Sequence, residues 1–348
     1  MALSRMRRAA AAATVAVLSL SACSTGATGE DQATGSTAAE DQFPVTIEHA
    51  FGETTIEEAP ERVAAVAWAN AETALALDVV PVGMPLIEFG GNDHGTTPWI
   101  DEALDGLDAS IGTENAPVQY SEADGIAFDD VAATDPDVII AAYSGLSQED
   151  YDKLSRIAPV VAYPETAYGT PWQETTTMIG KALGRSAEAE QLIADTEQAI
   201  ADKAAEYPQL KGKSFIYANL VPGGDTSIYT DLDSRPRFLQ ALGLTMAPVV
   251  EENIKGEEFY ITWSNENLDQ LDSDIFLSWV ASQEVADSLA SDPLLGQIPA
   301  VKNGSFVADA DPTRTFSISA INALSIPYAL DNVVPLIADA ATAADNAK

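Results

Sequence analysis

The sequence predicts a two-lobed α/β protein, and three observations carry that expectation. Short apolar runs of strand length alternate with helix-period segments on both sides of the chain's midpoint, the pattern of βαβ units and parallel sheets. Between them, from Ser186 to Glu206, apolar or small residues recur at Ala189, Leu192, Ile193, Thr196, Ala199, Ile200 and Ala204, which is helical spacing. At 1.5 Å per residue that helix is about 30 Å long, the width of a small domain, so it can bridge two of them. The chain of 348 residues is also long enough for two hydrophobic cores.

Residues 1–22 read as a secretory signal peptide: Arg5, Arg7 and Arg8 precede an uncharged run from Ala9 to Leu20, and Leu20-Ser21-Ala22-Cys23 follows. That tetrapeptide resembles the bacterial lipobox, in which the cysteine thiol is acylated, with palmitate among the acyl groups, and becomes the new N-terminus. The uncharged run is too short for a transmembrane helix, which needs roughly 20 apolar residues, and no later segment reaches that length. The expected product is exported and held by lipid on the outer face of the cell membrane. Cys23 is the only cysteine, so once it is lipidated no disulfide, iron–sulfur ligand set or cysteine nucleophile remains. From Ser24 to Gln42 no aliphatic residue is larger than alanine, so residues 23–42 read as the lipidated cysteine and a flexible tether.

The N-terminal lobe is expected to span residues 43–184. Ala59-Pro60-Glu61-Arg62 leads into a strand at Val63 to Ala67, a helix at about Ala71 to Leu77 and a strand at Val79 to Met84. The rhythm recurs with a strand at Asp137 to Ala142, a helix at Gln148 to Ile157 and a strand at Val160 to Tyr163. Two loops stand out: Pro85 to Trp99, too long for a simple connector, and Pro164 to Trp172, which carries Tyr168 and Trp172. The bridging helix takes residues 185–207, with Glu188 and Glu190 in the first turn where the helix dipole favours anions. The C-terminal lobe, 208–348, is expected to hold strands near Ser214 to Leu220, Asp274 to Trp279 and Ser305 to Ala308. Its helices are expected at Arg237 to Leu242, Asn265 to Leu271, Pro293 to Ile298 and, after Pro327, through Asp339.

Charge narrows function. The balance is 17 basic against 54 acidic residues, a formal net charge of −37. That excludes nucleic acid and electrostatic attachment to anionic headgroups, both of which need cationic patches. With so few cations, the placement of each is informative.

In order and spacing, several segments resemble the ABC-importer solute-binding family that includes ferrichrome-, cobalamin- and other ferric-siderophore-binding proteins. They are Ala59-Pro60-Glu61-Arg62-Val63, Ala71-Glu72-Thr73-Ala74-Leu75 closing on Pro81-Val82-Gly83, and Asp135-Pro136-Asp137-Val138-Ile139-Ile140. In the second half they are Phe238-Leu239-Gln240-Ala241-Leu242-Gly243-Leu244, Asp292-Pro293-Leu294-Leu295 and Leu324-Ser325-Ile326-Pro327-Tyr328. Gly90-Gly91-Asn92-Asp93 through Pro98-Trp99, and Ala141-Ala142-Tyr143-Ser144-Gly145-Leu146, look like the actinobacterial iron-siderophore branch. The resemblance implies the class III periplasmic-binding-protein fold: two α/β lobes, one rigid connecting helix, a ligand between them and modest closure. It implies no enzyme and no cofactor, but a monomer that captures an iron(III)-siderophore and delivers it to the membrane permease of an ABC importer.

Such a ligand needs aromatic walls and a few donors aimed at the chelator's oxygens, for which the arginine fork is suited. Arg235 and Arg237 stand at an expected helix start, where cations are locally unfavourable, so another interaction should hold them there. An arginine occurs at the position of Arg235 in related siderophore binders, whereas Arg237 departs from their pattern. Arg314 follows the strand at Ser305 to Ala308 and is the third candidate donor. Candidate walls are Trp68, Tyr143 and Tyr229, then Trp99, Trp172, Trp263 and Trp279, most of them just after an expected strand or in a long loop, where open α/β sheets bind ligands. His49 and His94 are too far apart in sequence to build a bare-metal site, so the iron is expected to arrive already chelated. For permease docking, related proteins use one exposed glutamate per lobe. Glu72 falls at the matching position of the first lobe, while the second has Ala247-Pro248 there and would have to use Glu251 or Glu252.

Two other readings compete. The same fold can carry haem or cobalamin, for which His94 or a tyrosine would serve as axial ligand to haem. A lipid-anchored hydrolase would need an activated nucleophile, and no Gly-x-Ser-x-Gly elbow is present.

Overall fold

Strict alternation makes the first element: β1 (Val45–His49) and β2 (Gly52–Ile56) pair antiparallel, with Val45, Ile47 and Ile56 turned into the core. The computed structural model describes residues 41–220, 224–289 and 291–347; Cys23, the signal segment and residues 24–40 of the tether lie outside these.

The first lobe is a five-stranded parallel sheet in the order β5-β4-β3-β6-β7, built from β3 (Val63–Ala65), β4 (Gly83–Pro85), β5 (Val118–Tyr120), β6 (Val138–Ala141) and β7 (Val160–Ala162). Its inner strands read as continuous apolar runs because helices cover both faces. All four residues of β6 are buried, and β6 lies between β3 and β7 with Ile139 opposite Ala64 and Val160. Two motifs distant in sequence lock here. The Asp137 carboxylate accepts the backbone N–H groups of Glu61 (2.8 Å) and Arg62 (3.0 Å), while Arg62 Nε donates to the Asp135 carbonyl (2.7 Å).

The second lobe is a six-stranded mixed sheet. It runs β11-β9-β8-β12-β13, with β10 pairing β8, and comprises β8 (Ser214–Asn219), β9 (Thr226–Tyr229), β10 (Thr245–Met246), β11 (Tyr260–Trp263), β12 (Ile275–Trp279) and β13 (Phe306–Asp309). β8, β12, β13 and β10 are parallel; at one edge β9 runs antiparallel to β8, and β11 antiparallel to β9.

A helix at Ser186–Glu206 connects the two sheets, as the periodicity requires. It rests on the helix Trp172–Ala182 of the first lobe and the helix Ser325–Asn332 of the second, and Lys203 Nζ ties it to Asp331 at 3.0 Å. Three expectations change. The helix expected to run on through Asp339 is two helices, Ser325–Asn332 and Val334–Asn346, because Pro335 supplies no N–H and starts a new one. The segments expected as helices at Asn265 to Leu271 and Pro293 to Ile298 are short 3-10 turns, Asn265–Gln270 and Leu295–Gln297. The loop Pro85 to Trp99 ends in a helix, Pro98–Gly106, capped by Thr97.

One further helix, Pro312–Ser319, leaves β13 and crosses to the other lobe. Its Phe316, 1 % exposed, belongs to the first lobe's core, edge-on to Trp68 (5.4 Å between centroids) and stacked with Trp99 (6.2 Å).

Candidate functional site

The site begins where β3 and β6 end. After β3 the chain turns through Ala67 and Ala69, both at positive φ (60° and 67°), a conformation alanine seldom adopts. Buried Asn70 holds the turn: its side-chain amide donates to the carbonyls of Val66 (2.8 Å), Trp68 (3.0 Å) and Tyr143 (2.9 Å), and its oxygen accepts the Tyr143 N–H (3.1 Å). One amide thereby fixes the exits of two strands together and sets Trp68 and Tyr143 at the same mouth.

The second lobe supplies the opposite wall. Trp279, ending β12, donates its indole N–H to the Tyr229 hydroxyl at the end of β9 (3.4 Å). The helix Ser234–Ala241 starts on Asp233, whose carboxylate accepts the Arg235 backbone N–H (2.8 Å) and also Nε (2.8 Å) and Nη2 (2.5 Å) of the Arg235 side chain. The guanidinium carbon sits 3.6 Å from the Tyr229 ring centroid. Nη1 of Arg235 makes no hydrogen bond among the described residues. Burial opposes this charge, but Asp233 outweighs it and raises the arginine's pKa, so the cation is fixed. Burial also pushes up the Tyr143 and Tyr217 hydroxyls, which stay as O–H groups.

Trp68, Tyr143, Tyr229, Trp279 and Arg235 thus surround one cavity of about 700 Å³ between the lobes, within the roughly 300–1,000 Å³ range of small-molecule sites. Phe89, Tyr168 and Phe259 complete its aromatic lining. Trp68, Phe89 and Tyr168 are 40 %, 41 % and 44 % exposed, an apolar surface with no protein cover. Tyr168 lies against Gly145, where a Cβ would come within 2.3 Å of its ring, so glycine lets the tyrosine rest in this position.

The other expected residues lie elsewhere. Trp99 is 6 % exposed, inside the first lobe's core, because Thr97-Pro98 starts a helix and turns the indole inward. Trp172 starts the helix Trp172–Ala182 and packs against the second lobe's core. Trp263, on the edge strand β11, donates to the Asn267 carbonyl (3.0 Å). Arg237 reaches across the lobes to the Gly169 carbonyl (2.7 Å), and Arg314 pairs with Asp309 (2.7 Å) and Asp311 (3.2 Å).

The acids differ from expectation more sharply. Glu72 is 1 % exposed, since the short helix Asn70–Ala76 is buried on almost every side, so it is not an exposed docking carboxylate; Glu251 and Glu252 are exposed. Sequence reasoning missed Glu122, which lines the cavity just after β5. Its Oε2 accepts the Ala67 N–H (3.0 Å), its Oε1 is sealed without a hydrogen bond, and burial pushes its carboxyl up to about 7. No group of three or more His, Cys, Asp or Glu disposed to hold a metal ion occurs among the described residues, and His49 and His94 lie outside the cavity lining. No helix among those residues is long and apolar enough to cross a membrane.

Comparison with known proteins places this geometry. PiaA of Streptococcus pneumoniae TIGR4, solved in complex with ferrichrome, superposes with a TM-score of 0.78 at 33 % identity, covering 86 % of this chain and 99 % of that one. The Fe(3+)-citrate-binding protein YfmC of Bacillus subtilis is 26 % identical over 85 % of this chain and 86 % of its own length. The ferric enterobactin-binding periplasmic protein FepB of Escherichia coli is 24 % identical over 82 % of this chain and 89 % of its own. The family model described as periplasmic binding protein matches residues 63–312. The chain therefore belongs to the periplasmic binding protein family: it is an extracytoplasmic substrate-binding protein, built to hold a ligand between two lobes and not to catalyse a reaction.

Proposed function

We propose that this protein captures an iron(III)-siderophore outside the cell and delivers it to the permease of an ABC importer. The observation that carries the reading is the aromatic slot closed by a single fixed guanidinium: Trp68, Tyr143, Tyr229 and Trp279 around Arg235 in a cavity of about 700 Å³. A chelated ferric ion presents an apolar body with oxygens crowded at the metal, and this slot offers π faces for the body and Arg235 Nη1 for the oxygens. The iron stays bound to its chelator, which suits a cavity without histidine. The protein acts as a monomer, tethered through lipid on Cys23, and its exposed Glu251 and Glu252 are the second lobe's contacts for permease arginines.

Tryptophan fluorescence tests this directly, because Trp68 and Trp279 line the cleft. Ferric siderophores should quench it saturably, and iron-free chelators should not. Arg235→Ala should weaken binding at least about tenfold, and Arg235→Lys should fail to restore it, because an ammonium cannot reproduce the two-point pairing with Asp233. An unchanged affinity in Arg235→Ala would remove that residue from the site.

A further inference from the structure

We propose that Glu122 is a positioning residue: its carboxylate, engaged within the cleft wall rather than by the cargo, holds the turn Ala67-Trp68-Ala69 and so presents Trp68 to the ligand. The inference rests on the reading of Trp68 as a ligand wall and adds the residue that sets it in place.

The turn is not one the chain would keep by itself. Ala67 and Ala69 stand at φ of 60° and 67°, and alanines in the left-handed region persist only where surrounding contacts fix them. Asn70 supplies part of that, but its bonds within the turn go to carbonyls, those of Val66 and Trp68. The Ala67 N–H is held from another strand, by Glu122 Oε2 at 3.0 Å. Glu122 follows β5, and β4 lies between β5 and β3, so the contact spans a strand. Tyr120 does the same at the end of β5, where its hydroxyl donates to the Ala65 carbonyl. Tyr120 on Ala65 and Glu122 on Ala67 thus form the rungs of one brace. A Cβ at Gly83 of β4 would come within 2.9 Å of the Tyr120 ring, so glycine in the intervening strand leaves the brace room to cross. The Trp68 ring is 40 % exposed and meets Phe316 edge-on, so its orientation depends on the backbone beneath it.

Glu122 Oε1 is sealed without a hydrogen bond, which leaves the Ala67 N–H as the carboxyl's hydrogen-bond donor among the described residues. That bond is stronger to a carboxylate than to a neutral carboxyl. Burial lifts the group to about 7, while the Ala67 N–H favours the ionised form. The grip on the turn is therefore strongest above about 7 and weakens as pH falls through that value. Tyr120 on the same strand and Tyr168 from the loop after β7 face Glu122 as hydroxyls that burial keeps protonated. Asp150 and the Asp233–Arg235 pair line the same cavity. Glu72, on the helix that follows the turn, is also raised to about 7 and takes a hydrogen bond from the Ala69 backbone, so a pH test must separate the two acids.

Trp68 reports on its own turn. In the ligand-free whole protein, subtracting the spectrum of each variant's Trp68→Phe counterpart isolates its emission. Acrylamide quenching of that emission should increase as pH falls through about 7 in the wild type and in Glu72→Gln. In Glu122→Gln it should stay at the low-pH level throughout. Titration with ferrichrome and ferric enterobactin as probes then reads binding at about pH 8. For whichever chelate the wild type takes, Glu122→Ala should weaken affinity at least about fivefold, and Glu122→Gln, whose amide oxygen still accepts the Ala67 N–H, should recover most of the loss. A pH step that persists in Glu122→Gln or vanishes in Glu72→Gln overturns the assignment. So does a Glu122→Ala protein that is folded by its melting temperature and binds like the wild type. If neither chelate binds, the siderophore reading fails, and the Trp68 spectra of the ligand-free protein decide the role of Glu122 by themselves.

Discussion

Glu72 makes stability depend on pH in a direction opposite to that of an ordinary surface carboxylate. It is 1 % exposed, its Oε1 has no hydrogen bond, and burial raises its pKa from 4.5 to about 7 despite hydrogen bonds from the Glu72 and Ala69 backbone. Between those two values the folded protein keeps a proton that the unfolded chain has released. The stabilisation is therefore fully present below about 4.5 and is lost as pH rises through about 7. At 1.36 kcal/mol per pKa unit the loss is on the order of 3 kcal/mol at pH 8. Glutamine has the shape of the protonated acid and never ionises. Glu72→Gln should thus match the wild type within about 1 kcal/mol near pH 4.5 and exceed it by about 2–3 kcal/mol at pH 8. Urea unfolding across pH 4.5 to 8, followed by tryptophan fluorescence and circular dichroism, measures the difference. A stability gap that stays constant with pH, or a variant weaker than wild type at pH 8, would refute the reasoning.

Two perturbations probe the seam between the lobes. Phe316→Ala removes the ring that Trp68 and Trp99 pack against and should cost about 3–5 kcal/mol in denaturant unfolding; a loss under about 1 kcal/mol would show that the ring does not join the two cores. Gly90→Ala adds a Cβ 2.6 Å from the Pro312 carbonyl at a position with φ of +79°. It should lower the melting temperature and weaken ligand binding together, since the same contact shapes the cleft rim; a change in neither would count against it.

The helix-period segment Ser186–Glu206, the all-apolar strands β3 and β6, and the apolar centre of β8 were legible because one chain segment carries the whole signal. β9 and β11 were not: each is four residues of mixed polarity, and their antiparallel pairing, Tyr229 opposite Tyr260, depends on partners distant in sequence. At the site, Trp68 and Tyr143 could be read from their positions just after parallel strands. Phe89 and Tyr168 sit within the two long loops that already stood out in the sequence, and only the crossing helix shows that these loops face one cleft. Trp99 carried a local signal that the loop reading overlooked: Thr97 followed by Pro98 is a helix cap and first turn, and a tryptophan next to it belongs to a helix face. Glu72 carried none. Nothing in Asn70-Ala71-Glu72-Thr73 distinguishes a solvated helix glutamate from one enclosed by the sheet and its neighbours.

The way the lobes are joined bears on how such a cleft binds. Besides the connecting helix, the Tyr143 hydroxyl donates to the Ser319 carbonyl (3.3 Å), Arg237 to Gly169 (2.7 Å) and Thr313 to Gly90 (2.9 Å), and Phe316 of one lobe is buried in the core of the other. Opening the lobes by more than a few ångströms would break all three hydrogen bonds and expose that ring. The rim is held by the same helix, Pro312–Ser319, that contributes Thr315 and Ser319 to the cavity, so rim and wall move together or not at all. On the proposed reading, a slot fixed in this way loses little freedom when ligand enters, and preorganised aromatic faces with a guanidinium already clamped by Asp233 supply its affinity. Selectivity must then come from what the fixed walls accept or reject, not from closure around whatever arrives. On the proposed reading, that gives a single wall side chain such as Arg235 more influence over cargo than it would have in a protein that folds shut on its ligand.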